Sequence, residues 1–212
     1  MDAPIPNELP IFELPLTLVP AERVPLHIFE ERYRLMIGDC IDRDLPFGVL
    51  FRDEEGVRSI GCSALVADVV ERHDDGQMDI IVRGEATFRV LDRFEAEEWP
   101  AAMVEMIDVD DSTAELSAEL TEAQEAFAKL LEAVGADPTR AEASSSAYPI
   151  AAQVEMPPID KQLLLEEEDE GRRLRALTIS LRKLHSGLLR ARKDANQART
   201  NGHKPGTIPK ID

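Results

Sequence analysis

From Glu8 to about Asp111 the apolar and polar positions alternate in short runs bounded by turn residues, which is the pattern of strands. Leu9, Ile11 and Phe12 open an extended segment reaching Leu14, and Pro15 and Pro20 bracket an apolar loop, Leu16-Thr17-Leu18-Val19. Residues 24–29 read as a second strand, which Pro25 confines to an edge or an entry position. The period then changes. Tyr33, Met36, Ile37, Cys40 and Ile41 make one stripe of an amphipathic helix over 30–42, with Glu30 and Glu31 at its dipole-positive start. Strands resume at 47–52, at 57–72 (two strands, or one bent at Gly61), and at 78–83, 86–94 and 101–109. Turns are expected at 53–56, at 74–76 and at Gly84-Glu85. Within 86–94, Phe88 and Val90 fall on one face and Thr87, Arg89 and Leu91 on the other. Six or seven short strands with one early helix predict a small barrel-like sheet.

Beyond Asp110-Asp111-Ser112 the apolar spacing becomes helical. Leu116, Leu120, Phe127, Leu130, Leu131 and Val134 recur near a 3.6 period, and Gly135-Ala136-Asp137-Pro138 stops that helix. A second helix is expected over 144–155 with Pro149 near its first turn, and Met156-Pro157-Pro158 breaks it. Asp160 is the expected N-cap of a short helix over 161–168. A last helix spans 171–193, where Leu174, Leu177, Leu181, Leu184 and Leu188 step by three, four, three and four. The predicted fold class is α+β. A β-barrel subdomain occupies 1–111, a helical subdomain 112–193, and 194–212, with little apolar content, form a disordered basic tail.

Charge narrows the function classes. The 212 residues carry 24 Lys+Arg and 42 Asp+Glu, a formal net charge of −18. That average repels phosphate, so nucleic acid and anionic membranes are disfavoured as partners. The distribution is uneven: residues 1–170 hold 13 basic and 40 acidic side chains, net −27, whereas 171–212 hold 11 and 2, net +9. The basic set, Arg172, Arg173, Arg175, Arg182, Lys183, Arg190, Arg192 and Lys193, keeps RNA or nucleotide binding as the alternative reading. Arg172, Arg173 and Arg175 sit where a helix dipole disfavours cations, so they are expected to find carboxylates, with Glu166 to Glu170 nearest in sequence.

Enzymatic chemistry is not visible. Neither phosphate-binding glycine loop occurs, GxSxG is absent, and His27, His73, His185 and His203 are scattered without metal-ligand spacing. His27, between Leu26 and Ile28, reads as a packed strand residue. The acidic runs at 74–75 and 166–170 read as solvated turn and helix-end charges. Cys40 and Cys62 read as two reduced buried thiols. No apolar run approaches the ~20 residues of a membrane span, and Met1-Asp2-Ala3-Pro4 does not open a secretory signal, so a cytoplasmic location is expected.

A longer string of residues is more specific. Leu9-Pro10-Ile11-Phe12-Glu13-Leu14-Pro15, then Val24-Pro25-Leu26-His27-Ile28-Phe29-Glu30-Glu31-Arg32-Tyr33-Arg34, closely resembles the opening of the Lon N-terminal domain family, which reads LPLFPLP and PLHIFEPRYR. In order, Ile60-Gly61-Cys62-Ser63-Ala64 and residues 80–90 resemble its later strands, and Ala151 to Pro157, Asp160 to Leu164 and Glu170 to Leu174 its helical part. The resemblance runs from about Leu9 to His185. Departures, Thr17 for Asn and Pro20-Ala21 for Pro-Gly, fall in the first loop.

The resemblance implies a PUA-like pseudo-barrel followed by a helical bundle, and a stand-alone bacterial substrate-binding domain. The ATPase lysine motif and the Ser-Lys peptidase motif of full-length Lon proteases are missing, so no enzymatic activity is expected. The implied partners are unfolded or tagged polypeptides and a separately encoded protease, in an adaptor or regulator role in protein quality control. Self-association stays open, and no cofactor or metal is expected. The candidate peptide-binding residues are Leu16, Leu18 and Val19 of the apolar loop with Glu31 and Arg32 of the first helix, beside strand edges to which a peptide could add. The competing reading puts the three apolar residues in the barrel floor. Phe29 and Tyr33 are expected in the core.

Overall fold

The computed structural model describes residues 7–96, 99–107 and 117–201. The expected subdomain boundary near Asp111 and the last part of the expected tail lie outside the described residues. β1 (Glu8–Leu14) pairs in parallel with β3 (Phe47–Asp53), Ile11 opposite Gly48, and antiparallel with β7 (Pro100–Met106), Leu9 opposite Ala102. β7 runs beside β6 (Met78–Glu95), β6 beside β5 (Ile60–Arg72), and β5 beside β3, so the β1–β3 pair closes a ring. β4 (Gly56–Val57) extends β3 in a hairpin, and β2 (Arg23–Ile28) pairs with the first half of β6. The early helix, α1 (Glu31–Arg43), buries Tyr33, Met36, Ile37 and Cys40, the stripe its spacing predicts. These pack with Phe12, Phe47 and Ile28, while Leu9, Ile11, Leu50, Phe88 and Val104 fill a second cluster.

One expectation inside β6 is overturned. Gly84-Glu85 is not a turn, and β6 continues through it. Glycine is required there because the chain passes against Val19, whose carbonyl oxygen would lie 2.2 Å from an added Cβ. The same approach is stitched by Ala21 N–H donating to the Gly84 carbonyl and Gly84 N–H to the Glu22 carbonyl, both 2.9 Å. Thr87, on the strand face opposite Phe88, is buried as well, where it meets Tyr148 of the helical part.

The helical part comprises α2 (Ser117–Val134), a 3-10 turn (Pro138–Ala141), α3 (Ala147–Ala151), α4 (Pro158–Glu166) and α5 (Glu170–Asn201). The expected helix over 144–155 is reduced to one turn and a half around Pro149. α4 starts earlier than expected, with Pro157 at the cap position and Asp160 inside the first turn, making no side-chain cap. α5 continues past Lys193 to Asn201 through Ala, Arg, Asn and Gln, so residues 194–201 of the expected tail are helical. At its start Arg173 is fully buried. Arg173 pairs with Glu170, donates to the carbonyls of Leu164 (3.1 Å) and Glu167, and lies 4.6 Å from the Tyr148 ring centroid. Glu170 in turn accepts from Ala147 N–H at 2.7 Å. One guanidinium thus ties α5 to α3 and α4, and Arg172 pairs with Glu167 at 3.0 Å.

Barrel and helices share a seam. Lys161 of α4 and Glu22, beside β2, form a buried ion pair. Glu22 also accepts from Val19 N–H at 3.1 Å, Thr17 donates to the Pro158 carbonyl at 2.8 Å, and Gln162 donates to the Ile60 carbonyl at 3.0 Å. Removing one partner of such a pair leaves a charge buried without compensation. Lys161→Met is therefore expected to lower unfolding stability by about 3–5 kcal/mol. Adding Glu22→Gln should recover much of that loss. Urea denaturation of the single and double variants decides it, and a double variant no more stable than Lys161→Met would refute the assignment.

Candidate functional site

The apolar loop between β1 and β2 belongs to the seam and not to the surface. Leu18 is 1% and Val19 0% exposed, the first packing in the barrel core and the second in the helical core. Leu16 is partly buried against the barrel cluster. The expected binding role of Leu18 and Val19 is thus corrected: the loop is apolar because it is sandwiched between two cores. Ala21, in the left-handed region at φ 68°, lets the chain reverse there.

Glu31 and Arg32 do face solvent at the start of α1. Arg32 lies 3.3 Å from Glu30 and 4.5 Å from the Tyr33 ring centroid, and it lines a cleft with Glu13, Tyr33 and Arg52 to which no residue of the apolar loop contributes. Sequence reasoning therefore joined two places that the fold separates. Phe29, expected in the core, is 60% exposed. The alternation along β2 gives the reason, since Ile28 points inward and its successor must point out. β2 pairs with β6 alone among the described residues, leaving its other edge open next to Phe29.

A larger and more apolar concavity lies elsewhere. α5, about 48 Å long by its 32 residues, overshoots α2, about 27 Å by its 18. A groove of about 1040 Å³ opens where they part, lined by Phe127, Leu131 and Val134 of α2, Val154, and Leu184 and Leu188 of α5. Arg182, Lys183 and Arg190 stand along it. The signal was present in the sequence, because the α5 leucines continue after the α2 pattern has stopped at Gly135.

Much of the basic C-terminal charge is spent internally. Arg175 pairs with Glu119 at 2.7 Å and Arg182 with Glu122 at 3.3 Å, both across to α2, in addition to the Arg172 and Arg173 pairs. This weakens the RNA alternative, since four of its eight candidate residues are paired with carboxylates. The histidines are less scattered than their spacing suggests: the β2–β6 register sets His27 opposite Asp79, and His73 reaches the same carboxylate. No helix among the described residues is long and apolar enough to cross a membrane.

The family described as the ATP-dependent protease La (LON) substrate-binding domain matches residues 8–183. The solved Lon N-terminal domain protein from Xanthomonas campestris is similar at 25% identity, over 80% of this chain and 96% of that one, with a TM-score of 0.62. The N-terminal domain of the Mycobacterium avium complex Lon protease shares the fold at 19% identity, over 82% and 97% of the two chains, with a TM-score of 0.70.

Neither cysteine offers a nucleophile. Burial pushes the Cys40 thiol up to about 12, with Asp39 adding to it, and burial likewise raises Cys62, which donates to the Ser63 carbonyl at 3.3 Å. Only the thiolate reacts. Iodoacetamide at neutral pH should leave both cysteines unmodified in the folded protein and alkylate both in denaturant, as read by intact mass. Rapid native labelling of either would contradict their placement in the core.

Proposed function

Since this chain belongs to the LON substrate-binding domain family, we propose that it is a non-enzymatic module that holds unfolded or tagged polypeptides, serving as an adaptor or regulator for a separately encoded protease. The observation that carries the reading is the α2–α5 groove. It combines an apolar floor with the cationic groups Lys183 and Arg190 on a protein whose net charge is −18. Apolar side chains of an unfolded segment leave water on entering it, and acidic flanking residues meet the basic rim. A folded protein presents few such contiguous segments, so the groove selects unfolded chains by the chemistry they expose. Phe29, Glu31 and Arg32, beside the open edge of β2, offer a second contact where an extended segment adds as a strand.

The test is fluorescence anisotropy with a permanently unfolded, reduced and alkylated polypeptide. Val134→Asp and Leu188→Asp put charge on the groove wall and should weaken binding tenfold or more, whereas Val70→Asp, on β5 and exposed, should not change it. Phe29→Ala with Arg32→Ala reports the β2 edge. Absence of binding by the unaltered protein, or binding indifferent to both groove variants, would overturn the reading.

A further inference from the structure

Antiparallel pairing sets His27 of β2 directly opposite Asp79 of β6, and Asp79 is also opposite Glu71 of β5. His73 follows the end of β5, in the turn that leads into β6. His27 Nδ1 lies 2.7 Å from one Asp79 carboxylate oxygen and His73 Nε2 lies 2.8 Å from the other. The two imidazole rings are 5.9 Å apart and nearly edge to face. One donor atom from each of the three residues lies within 4.8 Å of the others. Tetrahedral coordination at bonds of ~2.0–2.1 Å sets donors roughly 3.3 Å apart, so modest side-chain rotation closes the set.

The Gln77 side-chain amide donates to Asp75 at 2.8 Å, which fixes its orientation and leaves its carbonyl oxygen facing His27 Nε2, also at 2.8 Å. His27 therefore donates from Nε2. A neutral imidazole has only that one N–H, so Nδ1 turns a lone pair toward an anionic oxygen at 2.7 Å. Either a proton, which makes the ring an imidazolium, or a metal ion therefore lies between the two atoms. His73 turns Nε2 to Asp79, while its Nδ1 lies 3.8 Å from Glu71, beyond hydrogen-bond reach. Each ring thus points one nitrogen at the centre, and His27 gives its other N–H to Gln77, the outer-shell contact that orients metal-bound histidines.

We propose that His27, His73 and Asp79 form a binding site for a divalent transition-metal ion of the zinc class, with Gln77 orienting the His27 imidazole. Two nitrogens and one carboxylate suit zinc, cobalt or nickel, and not calcium or magnesium, which take oxygen sets. The ion replaces the proton each ring would otherwise share with Asp79, and the side chains are partly exposed, so a further coordination position opens to solvent. The local charge favours it: Glu71, Asp74, Asp75 and Asp79 surround the turn, opposed by Arg72 and by Arg34, which donates to the Asp75 carbonyl. The ion would fasten the open strand β2 to the β5–β6 hairpin, with the Phe29 ring stacked 6.1 Å from His27.

The experiment uses the full, untagged chain stripped with chelator and titrated with Zn²⁺ by calorimetry, and with Co²⁺ by visible absorption. One ion per chain is expected, with Co²⁺ bands of low-symmetry nitrogen–oxygen coordination and a raised thermal midpoint. His73→Ala, in an exposed turn, and Asp79→Asn should abolish saturable binding, and Gln77→Ala should weaken it roughly 10–100-fold. Circular dichroism confirms that each variant is folded; if one is not, His27→Gln takes its place. No saturable binding by the unaltered protein, or binding that survives in folded His73→Ala and Asp79→Asn, would overturn the assignment, since His185 or other groups would then be the ligands.

Discussion

The buried pair between Lys161 and Glu22 is the constraint around which the molecule is arranged. Two unlike halves, a closed sheet and a helical layer, meet along a seam where apolar contact alone would allow sliding. A paired charge on each side permits one register only, because any shift leaves an ion in a low-dielectric interior without its partner. The surrounding bonds, Thr17 to Pro158 and Gln162 to Ile60, are all to backbone carbonyls and repeat the same registration. Gly84 belongs to this constraint as well, since the loop carrying Glu22 reaches its position only by pressing its backbone onto β6.

The second buried cation, Arg173, does for the helices what Lys161 does for the seam. α3 and α4 are too short to hold themselves by propensity. They are held because the guanidinium and Glu170 satisfy the carbonyls and N–H groups at their ends, with Tyr148 packed on the guanidinium and reaching Thr87 of the sheet. Part of the charge asymmetry along the sequence is therefore a property of assembly, basic α5 lying on acidic α2 and on its own acidic approach.

What could be read from the sequence was periodic. The α1 stripe, the strand runs and the leucine spacing of α5 each encode which side is buried, and they gave the α+β architecture together with the resemblance running from Leu9 to His185. What could not be read was relational. Leu18 and Val19 look like a free apolar loop until a second core covers them, and Gly84 looks like a turn until Val19 approaches it. Asp160 looks like a cap until Pro157 starts the helix first. The site suffered the same way: Glu31 and Arg32 were correctly exposed, but the groove depends on two helices of unequal length, and the convergence of His27, His73 and Asp79 on a strand register that no local spacing records.

The ring closure of the sheet also governs the order in which a growing chain can consolidate. β1 is made before both of its partners, β3 and β7, so both its edges wait unpaired while the intervening strands are synthesised. Glu22 waits longer still, since its cation follows 139 residues later. Contacts this distant in sequence make folding slow and leave strand edges and a lone carboxylate exposed in the nascent chain. Until α4 and α5 emerge, this substrate-binding domain is thus itself a chain with open strand edges and an unpaired seam carboxylate.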